Sequence, residues 1–175
     1  DSCCLGSINL ANIENTTELA KVINLAVLFL LCNTLYTDKP TEKVKCVKEK
    51  NRRLGLGLMG VAEWFIQRHQ PYGYHTDLFN DTSSDMFGYW LKTYKQSSDH
   101  AADIWSDKLQ IARPIAVRAI APTGTISIVG GHTTPGIEPV FHTCYKRTYN
   151  TLKEHAYSNG YASQIIVEPV VQKWI

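Results

Sequence analysis

Between Leu19 and Tyr36 the chain is apolar on almost every side of a helical wheel. A helix of that kind has to be covered on more than one face, so it is expected deep in a layered core. Its densest run, Val22 to Cys32, is about 11 residues and contains Asn24. A bilayer-spanning helix needs roughly 20 residues, so a buried core helix is expected and no membrane. Asn15-Thr16-Thr17-Glu18 supplies capping residues just ahead of it. The 175-residue chain is 44% hydrophobic and 19% charged, enough apolar material for a sizeable core and against disorder. Eighteen Lys and Arg against 16 Asp and Glu give a net charge of +2. That is too near neutral for a sequence-independent polyanion binder, so no DNA or RNA partner is expected.

The other elements follow in order. Cys4 to Leu10 is a short strand or the approach to one. After a break at Asp38-Lys39-Pro40-Thr41, a charged helix is expected from Glu42 to about Lys50. Leu54 to Gln67 begins glycine-rich and becomes helical, with Val61, Trp64 and Phe65 at helical spacing. Gln70-Pro71-Tyr72-Gly73 is a turn, and Thr76 or Asp77 caps a long helical region to about Leu109. Ile115–Ile120, Gly136–Phe141 and Cys144–Tyr149 read as strands, and Val167–Val171 as an edge strand. Strands alternating with helices indicate an α/β architecture, and 175 residues suit one domain.

Five cysteines, Cys3, Cys4, Cys32, Cys46 and Cys144, are odd in number and irregular in spacing. The first residues carry no signal-peptide pattern. Free thiols in a reducing cytoplasm are therefore expected. Cys3 and Cys4 are adjacent and cannot easily bridge each other. They are either small packing residues facing opposite ways from a strand, or include one redox thiol whose partner lies elsewhere. His142 and Cys144 form a metal-like pair without a third ligand nearby, so no metal site is expected.

Gly55-Leu56-Gly57-Leu58-Met59-Gly60 fits G-x-G-x-x-G, but a dinucleotide fingerprint needs a strand before it and an acid about 20 residues on. Here a lysine- and arginine-rich stretch precedes it, and a turn separates it from Asp77. Glycines that permit close packing and a tight turn are the better reading. Ala121-Pro122-Thr123-Gly124-Thr125-Ile126-Ser127 carries more chemistry. A strand ends at a proline, and small hydroxyl residues with a glycine open a helix. Free N–H groups at such a turn suit a phosphate, with a plain capped helix start as the alternative. In the loop from Gly130 to Pro139, His132 and Glu138 are candidate acid–base groups, although a lone loop histidine is more often merely solvated.

Three of these motifs occur together and in order in one family. Cys3-Cys4-Leu5-Gly6-Ser7-Ile8-Asn9-Leu10 resembles the C-x-L-G-S-x-N-L segment of ribonucleotide reductase large chains. Asn51-Arg52-Arg53-Leu54-Gly55-Leu56-Gly57-Leu58-Met59-Gly60 resembles that family's N-R-x-x-G-x-G-x-M-G stretch. Ala121 to Ser127, followed by Gly136-Ile137-Glu138-Pro139, resembles its substrate phosphate loop and G-I-E-P segment. The wording from Gly130 to Pro139 looks most like the adenosylcobalamin-dependent class II enzymes.

The resemblance implies part of a ten-stranded α/β barrel whose finger loop carries a radical cysteine in an N-x-C-x-E motif. No such motif occurs in this sequence. The chain is therefore expected to be a C-terminal barrel portion, without the finger loop or the N-terminal part, and inactive alone. Its opening on Asp1 rather than Met points to processing or a longer parent. Cys3 matches the second cysteine of the reducing pair; Cys4 falls where relatives often have Asn. Pro122, Thr123, Gly124, Thr125 and Ile126 match the loop that holds the substrate phosphates. The implied activity is reduction of a ribonucleoside di- or triphosphate to its 2′-deoxy form. The implied helpers are adenosylcobalamin, an external dithiol such as a thioredoxin-like reductant, and the N-terminal part of the barrel. The alternative is a non-catalytic nucleotide-binding or assembly fragment of a split enzyme.

Overall fold

A computed structural model describes residues 2–38, 40–77, 80, 82–150 and 161–172. They divide into two compact units, Asp1–Glu138 and Pro139–Ile175.

The first unit is built around two parallel strands, β1 (Cys4–Asn9) and β2 (Leu54–Met59), in register from Cys4 with Leu54 to Asn9 with Met59. Between them run α1 (Thr16–Tyr36) and α2 (Glu42–Asn51). Parallel neighbours need such a crossover, and helices supply it. After β2 come α3 (Val61–Gln67), α4 (Phe87–Leu109) and the short α5 (Gly124–Val129).

Residues 115–120 run beside β2 with one parallel bridge, Leu56 to Arg118. Leu54 N–H donates to the Ala116 carbonyl at 2.8 Å, and Ala119 N–H donates to the Leu56 carbonyl at 3.1 Å. The expected strand is thus an irregular third member of the parallel layer.

Asn15 caps α1 by accepting from Glu18 N–H at 2.9 Å, as its position before the apolar run predicts. One face of α1 is buried through Leu19, Ile23, Val27, Leu30 and Leu31. It packs on α4 and on the Leu54, Leu56 and Leu58 side of the strands. The other face is open: Leu25 is 66% exposed, Phe29 67% and Tyr36 87%. The expectation of a helix covered all round is corrected to one covered on a single face, because no described element lies over the second. With 21 residues, α1 is long and apolar enough to cross a membrane by length and composition.

The glycine-rich stretch is a strand rather than the lead-in to a helix, and all six residues of β2 are buried. Glycine is a weak strand former, so packing has to explain it. A Cβ on Gly57 would come within 2.6 Å of the Ala119 carbonyl oxygen and 3.0 Å of Ser7 Oγ. Only glycine lets the three chains approach this closely. Gly60 ends β2 at φ +70, the left-handed conformation that opens α3.

The long helix begins at Phe87, not at Thr76 or Asp77. Trp90 and Trp64 pack edge-to-face at 5.3 Å between centroids, with Phe87 5.0 Å from Trp64. Arg68 lies 4.2 Å over the Trp64 ring.

Tyr94 on α4 donates its hydroxyl to the Leu56 carbonyl. Burial, opposed by Arg118, pushes its phenol up from 10.0 to about 12. The neutral phenol therefore contributes stability that is complete below pH 10 and is lost as pH rises through about 12. Urea unfolding between pH 9 and pH 12 is expected to show this alkaline loss in the native chain. The Tyr94→Phe variant should show a flatter curve.

The second unit is an antiparallel pair, β3 (Cys144–Asn150) with β4 (Tyr161–Val167), followed by α6 (Pro169–Gln172). The strand expected at Cys144–Tyr149 is present. Gly136–Phe141 is not a strand: Gly136 turns at φ +48, and Pro135 and Pro139 lack the N–H a ladder needs. The edge strand expected at Val167–Val171 ends at Val167, where Glu168 and Pro169 start α6 instead.

Candidate functional site

Side chains alternate across β1, and that alternation separates the two adjacent cysteines. Cys4 packs against the hydrophobic core. Cys3 lies on the opposite face, where its Sγ is 3.0 Å from the position a Cβ on Gly55 would take. Ala119 Cβ is 3.1 Å from the same point. Leu5 Cδ2 comes nearer still, at 2.4 Å, so the thiol and Ala119 flank Gly55 with the Leu5 side chain lying over it.

Both cysteines are free, and Cys3 is exposed. Partial burial, then Cys4, raises the Cys3 thiol above its ordinary value, against an opposing pull from Arg53. The group is held as a thiol at neutral pH, the protonated form that can give up a hydrogen.

From Ala119 the third segment runs on through Ala121 and Pro122 to the start of α5. Thr123 sits in the left-handed region at φ +55, an unusual conformation for a branched residue. Its Oγ1 accepts from Gly136 N–H at 2.7 Å, and the residue is buried. The Thr123 hydroxyl thus ties the two sequence loops together, a role its place in the motif did not reveal. Its carbonyl accepts from Ser127 N–H at 2.9 Å, closing the first helical turn.

The amides of Gly124, Thr125 and Ile126 precede that first bond and have no acceptor among the described residues. All three residues are exposed, and a Cβ on Gly124 would meet nothing within 4 Å. Three donors facing open space at the end of a strand suit an anion. Pro122, which has no N–H, is exposed and sets the entry to the turn.

A buried polar knot fixes the return loop. Thr133 Oγ1 lies 3.1 Å from Asn9 Oδ1 and 2.9 Å from Glu63 Oε2. Asn9 Oδ1 also accepts from Ala11 N–H at 3.2 Å, and Gly60 N–H donates to the Thr134 carbonyl at 2.8 Å. Asn9, Glu63 and Thr133 were missed as site-building residues. Asn9 was visible in its motif, but nothing in the sequence brings Glu63 to Thr133.

His132 and Glu138 are exposed, and the structure does not bring either to Cys3. Glu138 acts on Tyr72, whose phenol is raised by burial first and by that carboxylate second. Among the described residues, no three or more His, Cys, Asp or Glu side chains gather as a metal site.

The first unit thus sets a thiol on the face of a parallel α/β layer away from its core, and open helix amides beyond the end of segment 115–120. The sequence profile of the family described as ribonucleotide reductase, barrel domain, matches residues 1–107. The chain belongs to that family.

A Mycobacterium phage D29 protein, named as an adenosylcobalamin-dependent ribonucleoside-triphosphate reductase, is 29% identical over 153 residues, covering 84% of this chain and 21% of its own length. The vitamin B12-dependent ribonucleoside-diphosphate reductase of Thermoplasma acidophilum is 28% identical over 170 residues, with the same two coverages of 84% and 21%. The chain thus spans about a fifth of the length of these relatives. A crystal structure of a B12-dependent, class II ribonucleotide reductase superposes with a TM-score of 0.62 at 20% identity, over 85% of this chain and 22% of that one. That likeness bears out the expected fold class, part of the reductase α/β barrel.

Proposed function

We propose that this chain is a segment of a ribonucleotide reductase that forms 2′-deoxyribonucleotides, with Cys3 as one reducing thiol and residues 122–126 as the seat of the substrate phosphates. The observation that carries this reading is the shared approach of Cys3 and Ala119 to Gly55. It sets the thiol four residues before Thr123, at most about 13 Å along an extended chain. A ribonucleoside phosphate can bridge that span, with its sugar by the thiol and its phosphates at the amides of Gly124, Thr125 and Ile126.

In that placement the 2′ hydroxyl leaves as water. Cys3 and a second cysteine outside this chain supply two electrons and two protons and become a disulfide. An external dithiol, of the thioredoxin kind, then reduces the pair again by thiol–disulfide exchange. The five free thiols suit a reducing cytoplasm.

Adenosylcobalamin enters the proposal through the names of the two relatives. When bound, it would supply the initiating radical.

The open α1 face favours a second reading, an assembly fragment that completes a barrel with a partner chain. One experiment addresses both. The chain alone, given a ribonucleotide, adenosylcobalamin and dithiol, is expected to form no deoxyribonucleotide, since it has no N-x-C-x-E motif. Co-expression with the N-terminal part of a class II reductase is expected to restore product. Turnover by the chain alone would overturn the assigned chemistry. A completed barrel that binds nucleotide without turnover would favour the assembly reading.

A further inference from the structure

Between Leu19 and Cys32 the only polar residues of α1 are Lys21 and Asn24. Both line a groove of about 520 Å³ between α1 and α4. That size falls within the roughly 300–1,000 Å³ of small-molecule sites. Tyr89, Thr93, Ser97 and His100 of α4 line its other wall. They recur every three or four residues and so share one face of that helix. Ala20 and Ala101 also line the groove. Packed helices usually close such a seam with interdigitating side chains, and here small ones leave it open.

The groove is rich in donors. The Trp105 indole N–H can only donate, and it is bonded to Asn24 Oδ1. That bond holds the Asn24 carboxamide by its oxygen and leaves its NH2 for a ligand. Ser97 adds a hydroxyl and His100 an imidazole. Lys21 brings an exposed ammonium that pairs with no acid among the described residues. Thr93 Oγ1 donates to the Tyr89 carbonyl at 3.0 Å, so it is not a free donor. None of the described residues lining the groove is Asp or Glu, so no carboxylate within it repels an anion.

We infer that the groove between α1 and α4 binds a small phosphorylated molecule. A phosphate monoester presents three strong acceptor oxygens. Donors from two facing walls can share them, Lys21 and Asn24 on one side and Ser97 and His100 on the other. A carboxylate presents only two. The volume also leaves room for an organic part beyond the phosphate, with the Tyr89 side chain along its wall. Both helices pack on the Leu54, Leu56 and Leu58 side of the strands, opposite the Cys3 face, and none of residues 122–126 lines the groove. The site is therefore separate from the thiol and from the phosphate loop, and it does not depend on the function proposed for them.

Calorimetric titration of the full chain with glycerol 3-phosphate at constant ionic strength tests this. It is run in a Gly124→Asp background, so that the loop amides are already occupied. One saturable site is expected, with no binding of glycerol and at least about tenfold weaker binding of acetate. Lys21→Gln removes the charge from an exposed side chain and should weaken binding about tenfold or more. Ser97→Leu fills the seam and should abolish binding, with a thermal unfolding curve to show that the variant folds. If it does not fold, Lys21→Gln decides alone. Absence of a saturable site, equal affinity with and without Lys21→Gln, or acetate binding as tight as glycerol 3-phosphate would overturn the proposal.

Discussion

Replacing Cys3 with serine is expected to abolish sustained turnover in the barrel completed by an N-terminal part, while leaving nucleotide binding within a few-fold. Serine keeps the size of the side chain but cannot join a disulfide, so the two-electron step has no donor. A loss of about a hundredfold or more in the multiple-turnover rate is the expected scale, equivalent to nearly 3 kcal/mol. Cys4→Ser is the internal control. Cys4 faces the core, so its replacement should lower the unfolding midpoint and spare turnover. The raised Cys3 thiol gives an independent check. Its alkylation by iodoacetamide should accelerate with pH later than that of a free cysteine, because the thiolate forms only at higher pH. Unchanged turnover in Cys3→Ser would remove Cys3 from the chemistry.

The second large effect is expected at Gly124. A carboxylate introduced by Gly124→Asp has room, since a Cβ there meets nothing within 4 Å. Negative charge at a helix start is favourable, by about 0.3–1 kcal/mol. The variant should therefore fold as well as the native chain or slightly better. The same carboxylate would occupy the amides proposed for the substrate phosphates. The Kd for a ribonucleoside diphosphate, measured by calorimetry on the completed barrel, is expected to rise about tenfold or more, and Gly124→Ala should change it little. Unaltered affinity in Gly124→Asp would move the phosphate seat elsewhere. Thr123 is the wrong place for this test. Its φ of +55 is closed to proline, and its hydroxyl holds Gly136, so Thr123→Pro would disrupt the turn.

Local signals were legible where they did not depend on distant residues. The caps of α1, the charged α2 and the strand at Cys144 follow from neighbours within a few positions. The start of α4 was not legible, because Thr76 and Asp77 resemble caps whether or not a helix follows. The glycine stretch misled for a related reason. Glycine weakens a strand in isolation, and only the closeness of Ser7 and Ala119 makes Gly57 the residue that fits β2.

The sequence by itself determined the family, the separate candidacy of Cys3 and the 122–126 turn, and the presence of one long apolar helix. Motif wording and local patterning carry that information within short windows. Tertiary structure alone decided that Cys3, not Cys4, shares a face with Ala119, and that Thr123 is spent on Gly136. It also decided that, among the described residues, the apolar helix is covered on one side. Each of these is a contact between residues far apart in the chain, and such contacts exist only once β1, β2 and residues 115–120 lie side by side.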